Sequence, residues 1–369
     1  MKVDEKMELN KLEKKVLKTI KDNKLIHKGD KIVLAVSGGP DSICMLNVFS
    51  KMCQTNPSHS AQIVVAHVNH LIREEAKEDE EYVQRFCKEK GIEFYSKSID
   101  VLNLANTSKI GVEEAGRIAR YEFFDEILKK TNSNKIAIAH NKNDKAETII
   151  MNILRGSGLG GLRGIEAKRG KYIRPLIDCN REEIEEYCKE NELNPRIDKT
   201  NFDNTYTRNK IRNIVIPYIK KEFNPNFIET INRLSLLASE QGEYIDRIVE
   251  QSYKEMLIEE FYEKNKLLDI QEKINKANIE KILCQTNTSP MAQIVLDLRK
   301  FNKEEKVIKS GIVLYTITKL FGTSKGIEKI HIEDLIRLCE NNIGNKYLTP
   351  NKNLKVLVKN HKIYFIKQS

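Results

Sequence analysis

The sequence predicts an α/β protein built on a doubly wound parallel sheet, followed by a smaller, mainly helical region. Four apolar runs, Ile32 to Val36, Ile63 to Val68, Glu93 to Ile99 and Ile136 to His140, alternate with helical patterns near 43–54, 74–90, 112–130 and 143–154. Such alternation implies strands joined by helical crossovers. A six-residue turn, Ser37-Gly38-Gly39-Pro40-Asp41-Ser42, sits between the first run and the first of those helices. From about Phe223 onward the strand–helix alternation stops and charged helical patterns take over.

The chain opens with a segment too charged for a secretory signal. Leu9, Leu12, Val16 and Ile20 recur at helical spacing and predict an amphipathic helix. In the turn that follows the first strand, two glycines permit positive φ and close approach of the backbone, so that successive N–H groups face an anion. The helix after it adds the partial positive charge of its N-terminus. Asp41 would repel a phosphate directly, so its expected role is to hold a Mg²⁺ ion that bridges to phosphate. No lysine follows the glycines, which sets the turn apart from loops built for chemistry at a γ-phosphate. The SGGPDS turn resembles that of the N-type ATP pyrophosphatases, which cleave ATP between the α and β phosphates.

Right-handed crossovers bring the strand C-termini to one edge, where ligands of such sheets bind. Three further polar segments fall there. His67-Val68-Asn69-His70 ends the second strand, and His67 is a candidate nucleotide contact. In Glu113 to Tyr121, Arg117 and Arg120 lie at helical spacing and offer paired donors to phosphate or carboxylate, unless they only serve helix ion pairs. In Ala139 to Thr148, Asp144 and Glu147 are three apart at a helix start, on one face. They read either as a metal or amine site or as the acidic residues that helix N-termini favour.

Arg155 then opens a glycine-rich loop running to Leu162, which is more glycine than one helix cap needs. A polar, basic stretch from Asp198 to Arg212 includes Arg208, Asn209 and Arg212 and is suited to gripping a phosphate backbone.

The 369 residues carry 31% charged and 40% hydrophobic residues, a net charge of +10 and no long apolar run, with a mean hydropathy of -0.50 and an isoelectric point near 9.0. This composition excludes a membrane-spanning protein and predicts a soluble one of two or three domains. The basic balance suits a polyanion, although a lysine-rich composition alone produces the same charge. The seven cysteines contain no C-x-x-C pair, which predicts reduced thiols and a cytoplasmic location.

In order along residues 28–220, SGGPDS, HVNHLIR, EEAGRIARYEFF, AHNKNDKAETIIMNILRGSGLGGLRGI, RPLI and DKTNFDNTYTRNKIRNIVIPYI together resemble the tRNA(Ile)-lysidine synthase family, of the PP-loop superfamily. The chain departs from that pattern where the family commonly has glycine, at Leu71, and where it often has histidine and aspartate, at Asn141 and Asn143. The resemblance implies ATP and Mg²⁺, L-lysine, and an isoleucine tRNA with a CAU anticodon as reactants. ATP adenylates the wobble cytidine, and lysine then displaces AMP at carbon 2 to give lysidine.

It assigns Ser37, Gly38, Gly39, Pro40, Asp41, Ser42 and His67 to ATP, and Asp41 with Asp144 to metal. Asp41, Asp144, Glu147 and Arg117 are the expected catalytic residues, and Arg120, Arg155, Arg208, Asn209 and Arg212 the expected contacts to phosphate or tRNA.

The expected domains are residues 1–222, catalytic, and 223–369, a helical region ending in a small hairpin that either holds tRNA or serves as a scaffold or homodimer module. Helices are expected at Ile228 to Lys254 and Gln271 to Gln285, with further helices suggested by Leu296 to Leu298, Ile312 to Phe321 and Ile332 to Asn341. The alternating stretch Leu354 to Lys367 supplies the hairpin. Some family members carry a further C-terminal domain. If such a domain grips the acceptor stem, this chain is expected to bind ATP tightly and turn over weakly.

Three other readings share the loop. A tRNA thiolation enzyme of the cytidine branch would need paired cysteines, an amide-forming small-molecule synthetase would not need the basic stretch, and an ATP-sensing or RNA-binding module would release no pyrophosphate.

Overall fold

A computed structural model describes residues 9–55, 61–71, 76–196, 205–262, 292–341 and 346–368. The helix expected over 271–285, Arg73 and the segment 198–204 lie outside the described residues. The chain divides into two compact units, Met1–Ser239 and Glu240–Ser369.

The first unit begins with α1 (Lys11–Asp22), where Asn10 caps the helix and Glu13 returns a bond to the Asn10 N–H. Next come β1 (Lys31–Ala35), α2 (Pro40–Thr55), β2 (Gln62–Asn69), α3 (Ala76–Lys90), β3 (Glu93–Ser98), α4 (Val101–Ser108), α5 (Val112–Lys130), β4 (Lys135–Ile138) and α6 (Lys142–Leu154). The short α7 (Leu159–Leu162) leads to the two-residue strands β5 (Lys168–Arg169) and β6 (Tyr172–Ile173), then α8 (Arg181–Glu190). A helical run follows: α9 (Thr207–Lys210), a π-helical turn at Ile211–Val215 and α10 (Ile216–Glu222).

The six strands are ordered β3-β2-β1-β4-β6-β5, parallel except for β5. β1 is central, and its side chains alternate between two buried faces. Ile32 and Leu34 join α1, α2, α3 and α8 on one side, while Val33 meets Phe123, Phe124 and Ile127 of α5 on the other. This double coverage is why the strand reads as a continuous apolar run rather than an alternating one. Burying one such large apolar side chain stabilises the fold by about 1.5–3 kcal/mol.

At the N-terminal edge of the sheet, Lys135 is buried, donates to the Leu25 carbonyl at 2.6 Å and pairs with Asp30 at 3.2 Å. Burial opposes the Asp30 charge, but bonds from the His27 N–H, Asn134 and Lys135 hold its carboxyl below the usual range.

A 30-residue helix, α11 (Phe227–Met256), contains the division between the units. In the second unit follow β7 (Leu257–Tyr262), β8 (Ala292–Asp297), α12 (Leu298–Lys303), α13 (Lys306–Phe321), α14 (Lys329–Glu340), β9 (Lys346–Asn351), β10 (Leu354–Lys359) and β11 (Lys362–Lys367). The expected hairpin is the β10–β11 pair, yet it belongs to a five-stranded antiparallel sheet ordered β7-β8-β11-β10-β9. Where a helix is expected near Leu296 the structure has β8, between β7 and β11 and buried from Ala292 to Leu296, apolar there except for Gln293.

Ile312, Val313 and Ile317 of α13 and Leu335 of α14 pack on that sheet. Gly311 lets α13 approach α11 closely: a Cβ there would overlap Val249 Cγ2. Among the described residues no helix is long and apolar enough to cross a membrane.

Candidate active site

The loops after β1, β2 and β4 open into one cleft of about 1270 Å³, at the point where strand order reverses around β1. Ser37, Gly39, Pro40, Asp41, Ser42, His67, Arg120, Asp144, Arg208, Asn209 and Arg212, all anticipated from the sequence, line it. Gly38 holds the loop in its turn with φ of 93°, and the carbonyl of Gly38 accepts from the Arg196 N–H at 3.1 Å. The Ser42 hydroxyl organises the turn. It accepts from the N–H groups of Ser37 and Gly38, each at 3.2 Å, and donates to the Gly39 carbonyl at 2.9 Å.

His67 is buried, and its Nδ1 meets the Val36 carbonyl at 2.9 Å. That bond requires a proton on Nδ1 and leaves Nε2 as an acceptor. Burial lowers the His67 pKa, so the ring is neutral.

Asp41, at the start of α2, and Asp144, in the first turn of α6, face the same cleft. Asn141 joins them: its Nδ2 donates to Asp41 Oδ1 at 2.8 Å, while its Oδ1 accepts from the N–H groups of Asn143 and Asp144. Asp144 answers by accepting from the Asn141 N–H at 3.0 Å, completing a capping box. Burial, then the like charge of Asp144, pushes the Asp41 carboxyl up to about 6.

Behind Asp144 lies a four-member ionic cluster. Arg208 donates to Glu147 Oε2 at 2.8 Å and Asp144 Oδ1 at 2.9 Å; Arg212 donates to Glu147 Oε1 at 2.5 Å and Asp144 Oδ1 at 2.9 Å. The helical run from Thr207 places both arginines on the side facing α6, and Ile211 docks that run against Ile149 and Ile150. Burial opposes the Asp144 charge, but Arg208, His140 and Arg212 hold its carboxyl below the usual carboxylate range. Glu147 is buried and borders a second groove of about 520 Å³ rather than the main cleft.

Two anticipated residues stand apart. Arg117 is exposed, with its guanidinium 5.5 Å from the centre of the Tyr121 ring, and Arg155 is exposed at the far end of α6. The latter lies eleven residues beyond Asp144, about 17 Å along the helix.

Several further cleft groups are not assigned from the sequence, among them His140, Arg181 and Lys189. His140 accepts from Arg174 Nε at 3.1 Å on its Nδ1, and burial, with Arg174, Arg208 and Arg120 nearby, pushes its pKa down to about 4. It is therefore neutral, with its proton on Nε2. Arg181 and Lys189 come from α8, a helix not anticipated from the sequence; the RPLI motif and the REEI start after it were the available signals.

A doubly wound sheet whose first strand runs into this turn defines a PP-loop nucleotide-binding protein, and the PP-loop domain family matches residues 8–219. The chain is 40% identical over 344 residues to the tRNA(Ile)-lysidine synthase of Clostridium tetani, covering 93% of this chain and 66% of that protein. It is 40% identical over 351 residues to that of Clostridioides difficile, covering 95% and 69%, and 42% identical over 245 residues to that of Petrotoga mobilis, covering 66% and 78%. The chain belongs to the tRNA(Ile)-lysidine synthase family. It spans about two thirds of the length of the first two of these relatives. A U34-tRNA thiolase from Methanococcus maripaludis shares the fold, with a TM-score of 0.50 and 21% identity over 61% of this chain and 77% of that one.

Proposed function

We propose that the chain ligates L-lysine to carbon 2 of the wobble cytidine of the CAU-anticodon isoleucine tRNA, consuming ATP and releasing diphosphate and AMP. The observation that carries this reading is the meeting of Asp41 and Asp144 over the Ser37–Ser42 turn, in a chain 40% identical to lysidine synthases.

In the first step the cytidine O2 attacks the α-phosphorus and the bond to the β-phosphate oxygen breaks. The N–H groups of the turn and the α2 N-terminus neutralise the departing diphosphate. His67 Nε2 is an acceptor suited to the adenine amine. In the second step the ε-amine of lysine forms a bond to carbon 2, and AMP leaves. Asp144, which faces the cleft, orients the incoming ammonium and takes up the proton it sheds, while Glu147 holds Arg208 and Arg212 in place behind it. Arg208, Arg212, Arg120 and Asn209 steady phosphate or the cytidine, and Arg117 and Arg155 meet tRNA outside the cleft.

Mg²⁺ fits this arrangement. Two neighbouring carboxylates, one with its carboxyl pushed up to about 6 by burial and by the other, would be relieved by a cation. Among the described residues no group of three or more protein ligands is assembled, in keeping with an ion held by one or two carboxylates, water and phosphates. Asp41 and Asp144 would hold it, and it would supply charge neutralisation at the phosphates.

The thiolation alternative is disfavoured because among the described residues all six cysteines are free thiols with no metal-binding group. Free thiols also support a cytoplasmic site of action. The second unit either holds tRNA or serves as a homodimer module, and sedimentation of the chain with and without tRNA separates the two.

The decisive assay supplies ATP, Mg²⁺, labelled lysine and an isoleucine tRNA transcript with a CAU anticodon. Label entering RNA only when the wobble cytidine is present supports lysidine synthesis. Pyrophosphate release without lysine incorporation would replace it with another base-adenylating reaction.

A further inference from the structure

One surface of the first unit is absorbed by none of these roles. The groove bordered by Glu147 is also lined by Arg181, Arg212, Lys220 and Lys221, and the two arginines line the main cleft as well, so the groove adjoins the cleft across these side chains. On the same short helix, α10, stand two exposed aromatic side chains, Tyr218 at 59% and Phe223, just past its end, at 74% relative exposure. Their ring centres are 5.9 Å apart and the rings are steeply inclined, at 66°. Neither ring is needed by the core: Ile216 makes the buried contact of α10.

Large aromatic rings left in water beside paired lysines are the combination that unpaired nucleic acid uses, bases on the rings and phosphates on the cations. The acidic neighbours are few and paired: Glu182 lies 3.6 Å from Lys220 and Glu222 lies 3.0 Å from Lys221. Both lysine pairs are at the surface, where an ion pair contributes little, so the phosphates of a polyanion can exchange for either carboxylate.

We infer that the Tyr218–Phe223 patch and the Lys220–Lys221 edge of the groove form a docking surface for the unpaired nucleotides flanking the base that enters the cleft. The inference rests on the proposed action on an anticodon base and names the part of that RNA this helix receives.

The test measures binding of a CAU anticodon stem-loop RNA, and of a fully paired duplex of the same composition, to the whole chain by fluorescence anisotropy across a salt series. Compared are the wild type, Tyr218→Ala/Phe223→Ala, Tyr218→Trp and Lys220→Ala/Lys221→Ala. Circular dichroism and ATP affinity report that each variant is folded with its nucleotide site intact.

The aromatic pair variant is expected to lose stem-loop affinity at least about tenfold, with duplex binding and ATP affinity unchanged and Tyr218→Trp behaving as wild type. The lysine variant is expected to flatten the salt dependence by about 0.7 in slope for each phosphate it no longer neutralises. Undiminished stem-loop affinity in both variants overturns the inference while leaving the proposed reaction standing. So does a wild-type dimer that dissociates on Tyr218→Ala/Phe223→Ala, which would make the patch a contact between copies of this chain. A wild-type chain that releases pyrophosphate without binding the stem-loop overturns both readings.

Discussion

Asn141 and Asp41, one hundred residues apart in the chain, are joined by a 2.8 Å hydrogen bond from Nδ2 to Oδ1. Asn141 is itself buried and fixed by capping α6, so one carboxylate oxygen of Asp41 is held while the group stays close to Asp144. The carboxyl is pushed up from an ordinary 3.8 to about 6, by burial and by Asp144.

An aspartate whose folded pKa is raised costs stability once ionised. The cost is absent below its unfolded pKa and complete above its folded one. Asp41→Asn keeps an acceptor for Asn141 and removes the charge. It is expected to raise the metal-free unfolding free energy by about 1–3 kcal/mol near pH 8, with the gain fading toward about pH 4, and to abolish ATP-dependent turnover. Urea melts across that pH range, paired with pyrophosphate release, check it; a variant less stable than wild type at the alkaline end would contradict the account.

Removing one arginine from the Asp144, Glu147, Arg208 and Arg212 cluster leaves two buried carboxylates to share a single cation. Arg212→Ala is expected to destabilise the chain by about 3–5 kcal/mol, and Glu147→Gln combined with Arg212→Ala to cost less than the two changes summed. A double-mutant cycle in urea measures the coupling. Strict additivity would mean that the four groups act independently.

Much of this arrangement was legible in the sequence, and the reason differs from place to place. The central strand, Ile32 to Val36, was readable because burial on both faces demands an unbroken apolar run, and the Ser37–Ser42 turn because phosphate loops need small residues at fixed places. The ionic cluster was not readable as such, since Arg208 and Asp144 are brought together by Ile211 docking on α6 and nothing local signals that contact. α8 escaped because its buried face has only Ile184, Tyr187 and Cys188 among charged residues. β8, beside β11, carried an apolar run as fit for a helix as for a strand.

Leu71 marks a place where sequence and structure agree on a strain. It adopts φ of 53°, the left-handed region that favours glycine, and is 56% exposed. Leu71→Gly is expected to stabilise the chain by about 1 kcal/mol, since relief of the backbone outweighs the added freedom of the unfolded glycine. Thermal melts of Leu71→Gly and Leu71→Val should move in opposite directions; the same shift in both would show that the backbone is not strained.

In the second unit, Gly311→Ala would normally gain helix propensity, by about 1 kcal/mol. Here the added methyl meets Val249, and overpacking of that kind costs about 1–3 kcal/mol. The expected result is net destabilisation, largely rescued by adding Val249→Ala. Calorimetry of the single and double variants decides the matter, and a more stable single variant would show that the helices can separate freely.

The order of strands in the first sheet also governs how the molecule comes into being. β1 pairs with β2 and with β4, with Ile32 opposite Lys135 in the latter. During synthesis the apolar run from Ile32 to Val36 must therefore wait for about a hundred further residues to emerge before its second edge is covered. A parallel sheet closed at such separations folds slowly and stays sticky meanwhile. The yield of the first unit on expression should therefore depend on temperature and translation speed more than the equilibrium stability of the finished protein suggests.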